Sequence, residues 1–528
     1  MSSPSQLQQL EQLIEANAHS DSLAAIRKFI FEVGHGPDVL NTSYLKERVR
    51  GIANEVQVAI PTYESLLLEE LKETQSRERE LKQEWEKSGC SIILDSWGSQ
   101  CGKKSFISVL VHCRKGMLFL RSKDVSAIIE DVDMLEEMIS CVVDEVGASN
   151  IVQVVMNDAS PYMQTARHRV LNKHGHSFFF PLCADFCINF LLGKIASLDH
   201  ISEVLTKAKE LTRFIHGNEM PVKLVGNGEI VSNSCLKYVA AFLTLEKLVS
   251  ERANLVEMFN SPEWASSDWD ASSTFRYICN IVKTDAFWCV AADILKVTIP
   301  FVKVLFKLER EDCPMGILYD AMDCAKEEVM RNVGDKHGDI LSWVDKIWDI
   351  YLHSPLHAAG YMLNPRVFYK DHACDDPEVI SGIEACVTRM ANGNYDPKKV
   401  KAQTEVYRRK LGSLASDSSA IKEMMELPQV CWWSVHGTDT AELQTLATRI
   451  LSQTCFGAKR YNIDWHVSEK VHEAKLFHDQ DLYRGLEYVH YNMRLAGGKP
   501  LIGGISGHQV GKPASLLGDW IWGPRHRH

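Results

Sequence analysis

The chain has 528 residues, of which 45% are hydrophobic and 24% charged, and its formal net charge is −11. This length predicts two to four domains, or one fold with a large insertion. The acidic balance excludes a uniformly basic nucleic-acid-binding surface, although a local basic groove is compatible with it. We expect no membrane span, because charged residues and a proline interrupt the longest apolar run, AFWCVAADILKVTIPFVKVLF.

The fifteen cysteines have no repeated spacing, and no signal peptide leads the sequence. Both features are typical of a reducing intracellular compartment with mostly buried thiols. We therefore expect no disulfide framework.

Residues 1–89 are predicted to form a helical N-terminal region. SQLQQLEQLIEANA has apolar residues at helical spacing, and a long amphipathic helix follows Pro61, with Thr62 as its N-cap and Gly89 as its stop. The charge-rich middle of this helix indicates a solvated face, and a coiled coil or partner-binding helix is the alternative.

The pattern changes at residue 90. Three short β-branched runs, CSIILDSWG, SFISVLVHCRKG and MLFLRSKDV, precede an amphipathic helix in DVDMLEEMISCVVDEVG. NIVQVVMND predicts a strand that is buried on both faces, and a helix from Pro161 and a fifth strand in HSFFFPLCA follow it. The order β-β-β-α-β-α-β over residues 90–200 predicts an α/β fold with a ribonuclease-H-like arrangement.

The rest of the chain has mostly helical periodicity. Residues 201–425 are predicted to form a large helical insertion, and residues 426–496 a C-terminal region with two closing helices. Residues 497–528 are rich in Gly and Pro, so we expect a disordered tail there.

Several of these blocks resemble plant hAT-type transposase-derived proteins. GCSIILDSWG and VGASNIVQVVMNDASPYM resemble the domain of unknown function that forms their catalytic half, and LHAAGYMLNP resembles a motif late in their helical insertion. CWWSVHGTDTAELQTLATRILSQTC and LEYVHYNMRL resemble their C-terminal dimerisation region. The resemblance covers residues 20–496 and implies a ribonuclease-H-like core that a helical insertion interrupts.

Transposases of this family cut DNA with two aspartates and a glutamate that hold two divalent metal ions. One metal activates the attacking oxygen and the other stabilises the leaving oxygen, so both need negatively charged oxygen ligands. The resemblance places the first aspartate at Asp95 in ILDSW, which we expect to end the first strand.

The second acidic position is altered. The family reads Val-Val-Thr-Asp-Asn-Ala-Ser, whereas this chain reads Val-Val-Met-Asn-Asp-Ala-Ser, so Asn157 stands at the catalytic position and Asp158 follows it. Because successive strand side chains point to opposite faces, we expect Asp158 to point away from the metals. A twist at the strand end that brings Asp158 back to them is the alternative.

The third acidic position is also altered. The family has a glutamate in a Cys-Glu-Arg-Asn-Trp-like segment, whereas CFGAKRYNIDW contains none. Counting back from Trp465 places Asn462 at that position, and counting forward from Cys455 places Tyr461 there. Asp464 is the only acid in the segment.

Two further family features are incomplete. The Cys-x-x-His pair at the start of the insertion keeps Cys183 but has Phe186 in place of the histidine. Cys183 and Cys187 lie one helical turn apart, and we interpret them as buried structural thiols, with a metal site completed from elsewhere as the alternative. No BED-type zinc-finger spacing of Cys and His precedes residue 90.

These alterations predict a transposase-derived protein that no longer cleaves DNA, uses no cofactor and keeps the fold and the self-association surface. We expect a homodimer through the C-terminal region, because aromatic residues are frequent interface anchors. The same residues could instead complete the core of the monomer. They are Trp432, Trp433, Leu443, Leu446, Ile450, Leu451, Leu486, Val489, Tyr491 and Leu495.

Three functions remain open. The first is a dimeric nuclear regulator that associates with DNA or chromatin proteins, which a basic groove would support. The second is a residual Mg²⁺-dependent nuclease that uses Asp95, Asp158 and either Asp464 or Glu469, which clustering of these carboxylates would support. The third is a protein-only scaffold in the cytoplasm, which the lack of any basic surface would favour.

Overall fold

The computed structural model describes residues 19–496 with gaps. The residues outside it are 1–18, 43–44, 48, 52–60, 218–233, 235, 262–272, 334–337, 370–375, 392–394, 413, 415–417, 462, 475–479 and 497–528. The helix predicted in SQLQQLEQLIEANA and the tail predicted at 497–528 therefore lie outside the described residues.

A mixed sheet of four strands lies at the centre of residues 90–156. The strands are β1 (Cys90–Gly98), β2 (Ser105–Cys113), β3 (Gly116–Asp124) and β4 (Ile151–Met156). Their order in the sheet is β3-β2-β1-β4, with antiparallel pairing of β1 with β2 and of β2 with β3, and parallel pairing of β1 with β4. Every β4 residue is buried, as its continuous apolar sequence predicts.

Helices make up most of the remaining described chain. They are α1 (His19–Val33), α2 (Tyr63–Ser88), α3 (Val132–Val146), α4 (Pro161–Lys173), α5 (Ala184–Ala196), α6 (Asp199–Gly217), α7 (Lys237–Ser250), α8 (Arg252–Phe259), α9 (Ser273–Lys283), α10 (Asp285–Glu309), α11 (Leu318–Val333), α12 (Gly338–Ile347), α13 (Pro355–Leu363), α14 (Pro365–Phe368), α15 (Pro377–Arg389), α16 (Pro397–Arg408), α17 (Ser418–Glu426), α18 (Gln429–His436), α19 (Ala441–Leu451), α20 (His466–Ala474) and α21 (Gln480–Ala496).

The predicted ends of α2 are confirmed. The Thr62 side chain accepts a hydrogen bond from the Ser65 backbone N–H, which satisfies a donor that the first helical turn leaves free. Gly89 ends the helix at φ +69°, where a side chain would be strained. β1 begins at the next residue, so the helix leads directly into the sheet.

The fifth predicted strand is reduced to two isolated parallel bridges, which join Gln153 to Phe179 and Met156 to Leu182. The Phe179 N–H bonds the Val152 carbonyl, and further on the Cys183 N–H bonds the Met156 carbonyl. The donor between these two would be residue 181, which is a proline and has no N–H. HSFFFPLCA therefore runs beside β4 without completing a regular ladder.

The two faces of the sheet belong to different clusters of the core. Ile92 and Leu94 pack with helices α3 to α5, whereas Ile93 and Val155 pack with residues of α1, α2, α20 and α21. Strand alternation determines this division, because neighbouring side chains point to opposite faces. It also places Asp95, two residues after Ile93, on the side of the C-terminal helices.

The apolar run at 286–306 lies in α10, which contains Pro300. Proline cannot donate to the carbonyl of residue 296, and the Asn332 side-chain amide bonds that carbonyl instead, at 3.2 Å. No helix in the described part of the chain is long and apolar enough to cross a membrane.

Candidate functional site

Asp95 lies within β1, and the expectation that it ends this strand is wrong. β1 continues to Gly98, because Asp95 to Gly98 still pair with β2. The parallel pairing with β4 stops one residue earlier, at Leu94 and Met156. Asp95 is therefore the first β1 residue beyond the end of β4, and its side chain is only 3% exposed.

Asn157 follows β4 directly and contacts Asp95 across the end of the sheet. Its side-chain N–H donates to Asp95 Oδ1 at 2.7 Å, and the same nitrogen lies 3.1 Å from the Ser96 carbonyl oxygen. Its Oδ1 accepts a hydrogen bond from the Ser96 N–H at 2.7 Å. Asn157 thus ties β1 to the end of β4 with both ends of its amide.

Trp465 forms a hydrogen bond with the second carboxylate oxygen of Asp95. Its indole N–H donates to Asp95 Oδ2 at 2.8 Å. The ring of Trp465 stacks on Trp97, with centroids 6.0 Å apart, and contacts the ring of Tyr491. These contacts fix the indole, so both carboxylate oxygens of Asp95 have a protein donor.

Burial raises the pKa of Asp95 to about 6. The positive charge of Lys459 and the hydrogen bond from Trp465 oppose this change, and the negative charge of Asp185 adds to it. Burial is the largest cause, so the environment of Asp95 makes the anion that a metal ion would bind less stable than it is in water.

The Asp158 carboxylate bonds the turn that follows β4. Its Oδ1 accepts a hydrogen bond from the Ser160 N–H at 2.8 Å, two residues further along the chain. Ser160 in turn caps α4 through the Met163 N–H. Asp158 therefore has the role of a turn residue that leads into this helix.

The acids near Trp465, Asp464 and Glu469, each accept a hydrogen bond from a backbone N–H. Asp464 is exposed and accepts from the His466 N–H, and the neighbouring His466 lowers the pKa of its carboxyl group. Glu469 accepts from the Gln100 N–H at 3.0 Å. Asn462 lies outside the described residues.

Among the described residues, no group of three or more His, Cys, Asp or Glu side chains could hold a metal ion. Cys183 and Cys187 are both buried, and burial is the main cause that raises the pKa of each thiol. Asp185 lies between them and accepts a hydrogen bond from the Gly457 N–H at 3.1 Å. The sulfurs thus lie in an apolar and acidic environment that disfavours the thiolate.

The side chains predicted to form a dimer interface lie almost entirely in the core of the single chain. Two of them have their indole N–H groups satisfied internally, since Trp432 donates to the Ala420 carbonyl and Trp433 to the Leu363 carbonyl. Their burial in the single chain agrees with the alternative that these residues complete the core of the monomer, and the homodimer stays a prediction. They are Trp432, Trp433, Leu443, Leu446, Ile450, Leu451, Leu486, Val489 and Tyr491, and Leu495 is half-buried.

Beside this site lies a chain of buried hydrogen bonds that the sequence analysis missed. The Trp97 indole N–H donates to Ser108, and hydroxyl contacts of 2.7 and 2.9 Å join Ser108 to Ser122 and Ser122 to Ser468. Ser468 then donates to the buried carboxylate of Glu487 at 2.5 Å. The only signal in the sequence was a serine within each of two apolar strands, which by itself indicates no partner.

One comparison with known protein families gives a match. Residues 57–211 match the family model described as Domain of unknown function (DUF659), the domain associated with hAT transposases. The matched segment contains α2, the whole sheet, helices α3 to α5 and most of α6. Asp95, Asn157 and Cys183 fall within it, whereas Trp465 lies outside it. No curated protein matches the chain.

Proposed function

We propose that this protein derives from a hAT-type transposase, keeps a ribonuclease-H-like core and has lost the ability to cleave DNA. The sheet order β3-β2-β1-β4, the parallel β4 and the strand-like segment beside it support this core. The match to the domain associated with hAT transposases supports the origin.

The observation that carries the loss of cleavage is the pair of hydrogen bonds on Asp95. A two-metal site needs several anionic oxygens that face a shared cation. Here Asn157 and Trp465 each donate to one oxygen of Asp95, and no group of three acidic, His or Cys side chains among the described residues could hold a metal ion. A metal ion would have to compete with these two donors for Asp95, and a hydrogen bond to a charged group is worth about 1.5–3 kcal/mol.

As its function we propose a homodimeric nuclear regulator that associates with DNA or chromatin proteins. The resemblance of the C-terminal blocks to a dimerisation region supports the homodimer, and the transposase origin supports the association with DNA. A protein-only scaffold in the cytoplasm is the alternative. A residual nuclease has no support from the geometry, because the acids of the described residues form no group of three that could hold a metal ion. Asp158, Asp464 and Glu469 each bond a backbone N–H instead.

The test is calorimetric titration of the purified protein with Mn²⁺ and Mg²⁺, together with a nicking assay on supercoiled DNA. We expect no saturable binding of metal and no nicking. Asp95→Asn is the matched control, because it removes the carboxylate of Asp95 at similar size. Metal binding or nicking by the natural protein that this substitution abolishes would overturn the proposed loss of cleavage.

The regulatory role is tested separately. A fluorescently tagged protein is expected to accumulate in the nucleus and to remain in the chromatin fraction after cell lysis. Sedimentation velocity of the purified protein is expected to show a dimer. A protein that is found only in the cytoplasm and is absent from the chromatin fraction would favour the scaffold instead.

A further inference from the structure

Helix α5 carries aromatic and cationic side chains on a face that the vestigial site does not use. Phe190 and Lys194 lie one helical turn apart, and the Lys194 ammonium is 5.3 Å from the centroid of the Phe190 ring. Phe186 precedes Phe190 by one turn, and their rings lie 6.0 Å apart with an angle of 8° between their planes. Both rings are half-buried, whereas Lys194 is exposed.

The start of α7 is held against this face. The Tyr238 N–H donates to the Asn189 side chain at 2.9 Å, and the Tyr238 ring lies directly on Gly193. A Cβ at Gly193 would lie 2.7 Å from that ring, so the close approach requires glycine. The exposed Lys237 reaches over the same ring, with its ammonium 5.1 Å from the centroid. Lys194 follows Gly193 and Lys237 precedes Tyr238, so both lysines lie beside the contact between the two helices.

Helix α6 adds two further cations. Burial lowers the pKa of Lys209, and the positive charges of Arg213 and Lys237 lower it further. Within the described part of the chain, Lys194, Lys209 and Lys237 form no ion pair with a carboxylate, whereas Lys207 and Lys247 on the same helices do.

We call Phe186, Phe190, Lys194, Lys209, Arg213, Tyr238 and Lys237 the α5–α7 surface. An acidic protein gains nothing in stability from gathering like charges, since their repulsion is unfavourable. A polyanion would relieve this repulsion. Flat aromatic rings beside the cations indicate a ligand that has π-faces as well as negative charge, which a nucleic acid has and an acidic peptide lacks.

We propose that the α5–α7 surface binds single-stranded nucleic acid, with the cations on the phosphates and the Phe186 and Phe190 rings against unpaired bases. Bases in a duplex are stacked on each other, so their faces are not free to contact these rings. This inference rests on the proposed association with DNA and specifies where it occurs and which strand form is bound.

The experiment measures binding of fluorescein-labelled oligothymidylate by anisotropy at several salt concentrations, with oligouridylate and a DNA duplex as further probes. Lys194→Glu/Lys237→Glu is expected to weaken oligothymidylate binding at least about tenfold. It should also reduce the magnitude of the slope of log K against log salt by about 1.4, as expected for two lost phosphate contacts on a single strand. Phe190→Leu keeps an apolar side chain and is expected to weaken binding severalfold without changing that slope.

Lys398→Glu/Lys422→Glu is the matched control, because it makes the same change of charge at exposed lysines of α16 and α17. It should bind as the natural protein does. If Lys194→Glu/Lys237→Glu binds no more weakly than this control, the α5–α7 surface is not the site, although the proposed association with DNA stands. Tighter binding of the duplex than of oligothymidylate would overturn the assignment to single strands. The assignment would also fail if polyglutamate displaced oligothymidylate completely and Phe190→Leu had no effect on binding. No binding of any probe by the natural protein would overturn this proposal and the proposed association with DNA, and only the association with chromatin proteins would stand.

Discussion

The side-chain amide of Asn492 pairs with the backbone of Phe119 as a neighbouring strand would. Its Oδ1 accepts from the Phe119 N–H, and its Nδ2 donates to the Phe119 carbonyl, both at 2.9 Å. Phe119 lies on β3, which is the edge strand of the sheet. Helix α21 thus satisfies, from the side, backbone groups that an edge strand would otherwise leave open to another chain.

Asn492→Ala is expected to destabilise the protein by about 2–4 kcal/mol, because it leaves a buried N–H and a buried carbonyl of Phe119 without partners. The measurement is the midpoint of urea unfolding. Asn254→Ala is the control, since Asn254 is exposed and bonds only the Glu251 side chain at the surface. Equal midpoints for the two variants would show that the pairing with Phe119 contributes nothing.

Asn157→Asp is expected to create a metal site where the natural protein has none. It would place a second carboxylate beside Asp95, with oxygens near the present 2.7 Å separation, and a divalent cation would relieve their repulsion. Millimolar Mn²⁺ should therefore raise the thermal midpoint of this variant. Asp95→Asn/Asn157→Asp has one carboxylate and should not respond. An equal rise in the thermal midpoint of the natural protein would contradict the proposal that it binds no metal ion at Asp95.

The raised pKa of Asp95 predicts a pH dependence of stability. Its folded pKa is about 6 and its ordinary value 3.8, so the folded state binds more protons than the unfolded state between these values. The contribution of Asp95 is thus most favourable below pH 4 and falls as the pH rises to about 6. Relative to Asp95→Asn, the free energy of unfolding of the natural protein should fall by on the order of 2–3 kcal/mol as the pH rises over this range.

The measurement for Asp95 is urea unfolding of both proteins at a series of pH values, since taking the difference cancels the other titrating groups. A difference that is flat from pH 4 to 6.5, or that grows in the opposite direction, would show that the carboxylate is already ionised at low pH. In that case the two hydrogen bonds from Asn157 and Trp465 would outweigh burial.

Trp433→Phe is expected to act on the core of the single chain and not on self-association. The Trp433 indole is fully buried and donates to the Leu363 carbonyl at 2.7 Å, so the substitution leaves a small cavity and an unsatisfied acceptor. The free energy of unfolding should therefore fall by about 2–4 kcal/mol. Val435→Ala, at an exposed position of the same helix, should have little effect. If Trp433→Phe dissociated a dimer without lowering the unfolding midpoint, Trp433 would belong to the interface after all.

Local patterns in the sequence were enough to predict most elements of the fold. Thr62 and Gly89 bound α2 because capping and positive φ depend on a few adjacent residues. The apolar runs predicted β1 to β4. The predicted fifth strand forms only two isolated bridges, because Pro181 lacks the N–H that a regular ladder would need there. The apolar run alone does not show this.

The elements of this protein can therefore be predicted from local patterns, and the sequence also shows that Asn157 stands where the resembling family has an aspartate. The surroundings of Asp95 depend on the tertiary fold, because its second partner, Trp465, is 370 residues away along the chain. Burial of the C-terminal aromatic residues and the contact between α5 and α7 depend on the fold for the same reason. Helical periodicity shows that a face is apolar, but the packing of distant segments determines what covers it.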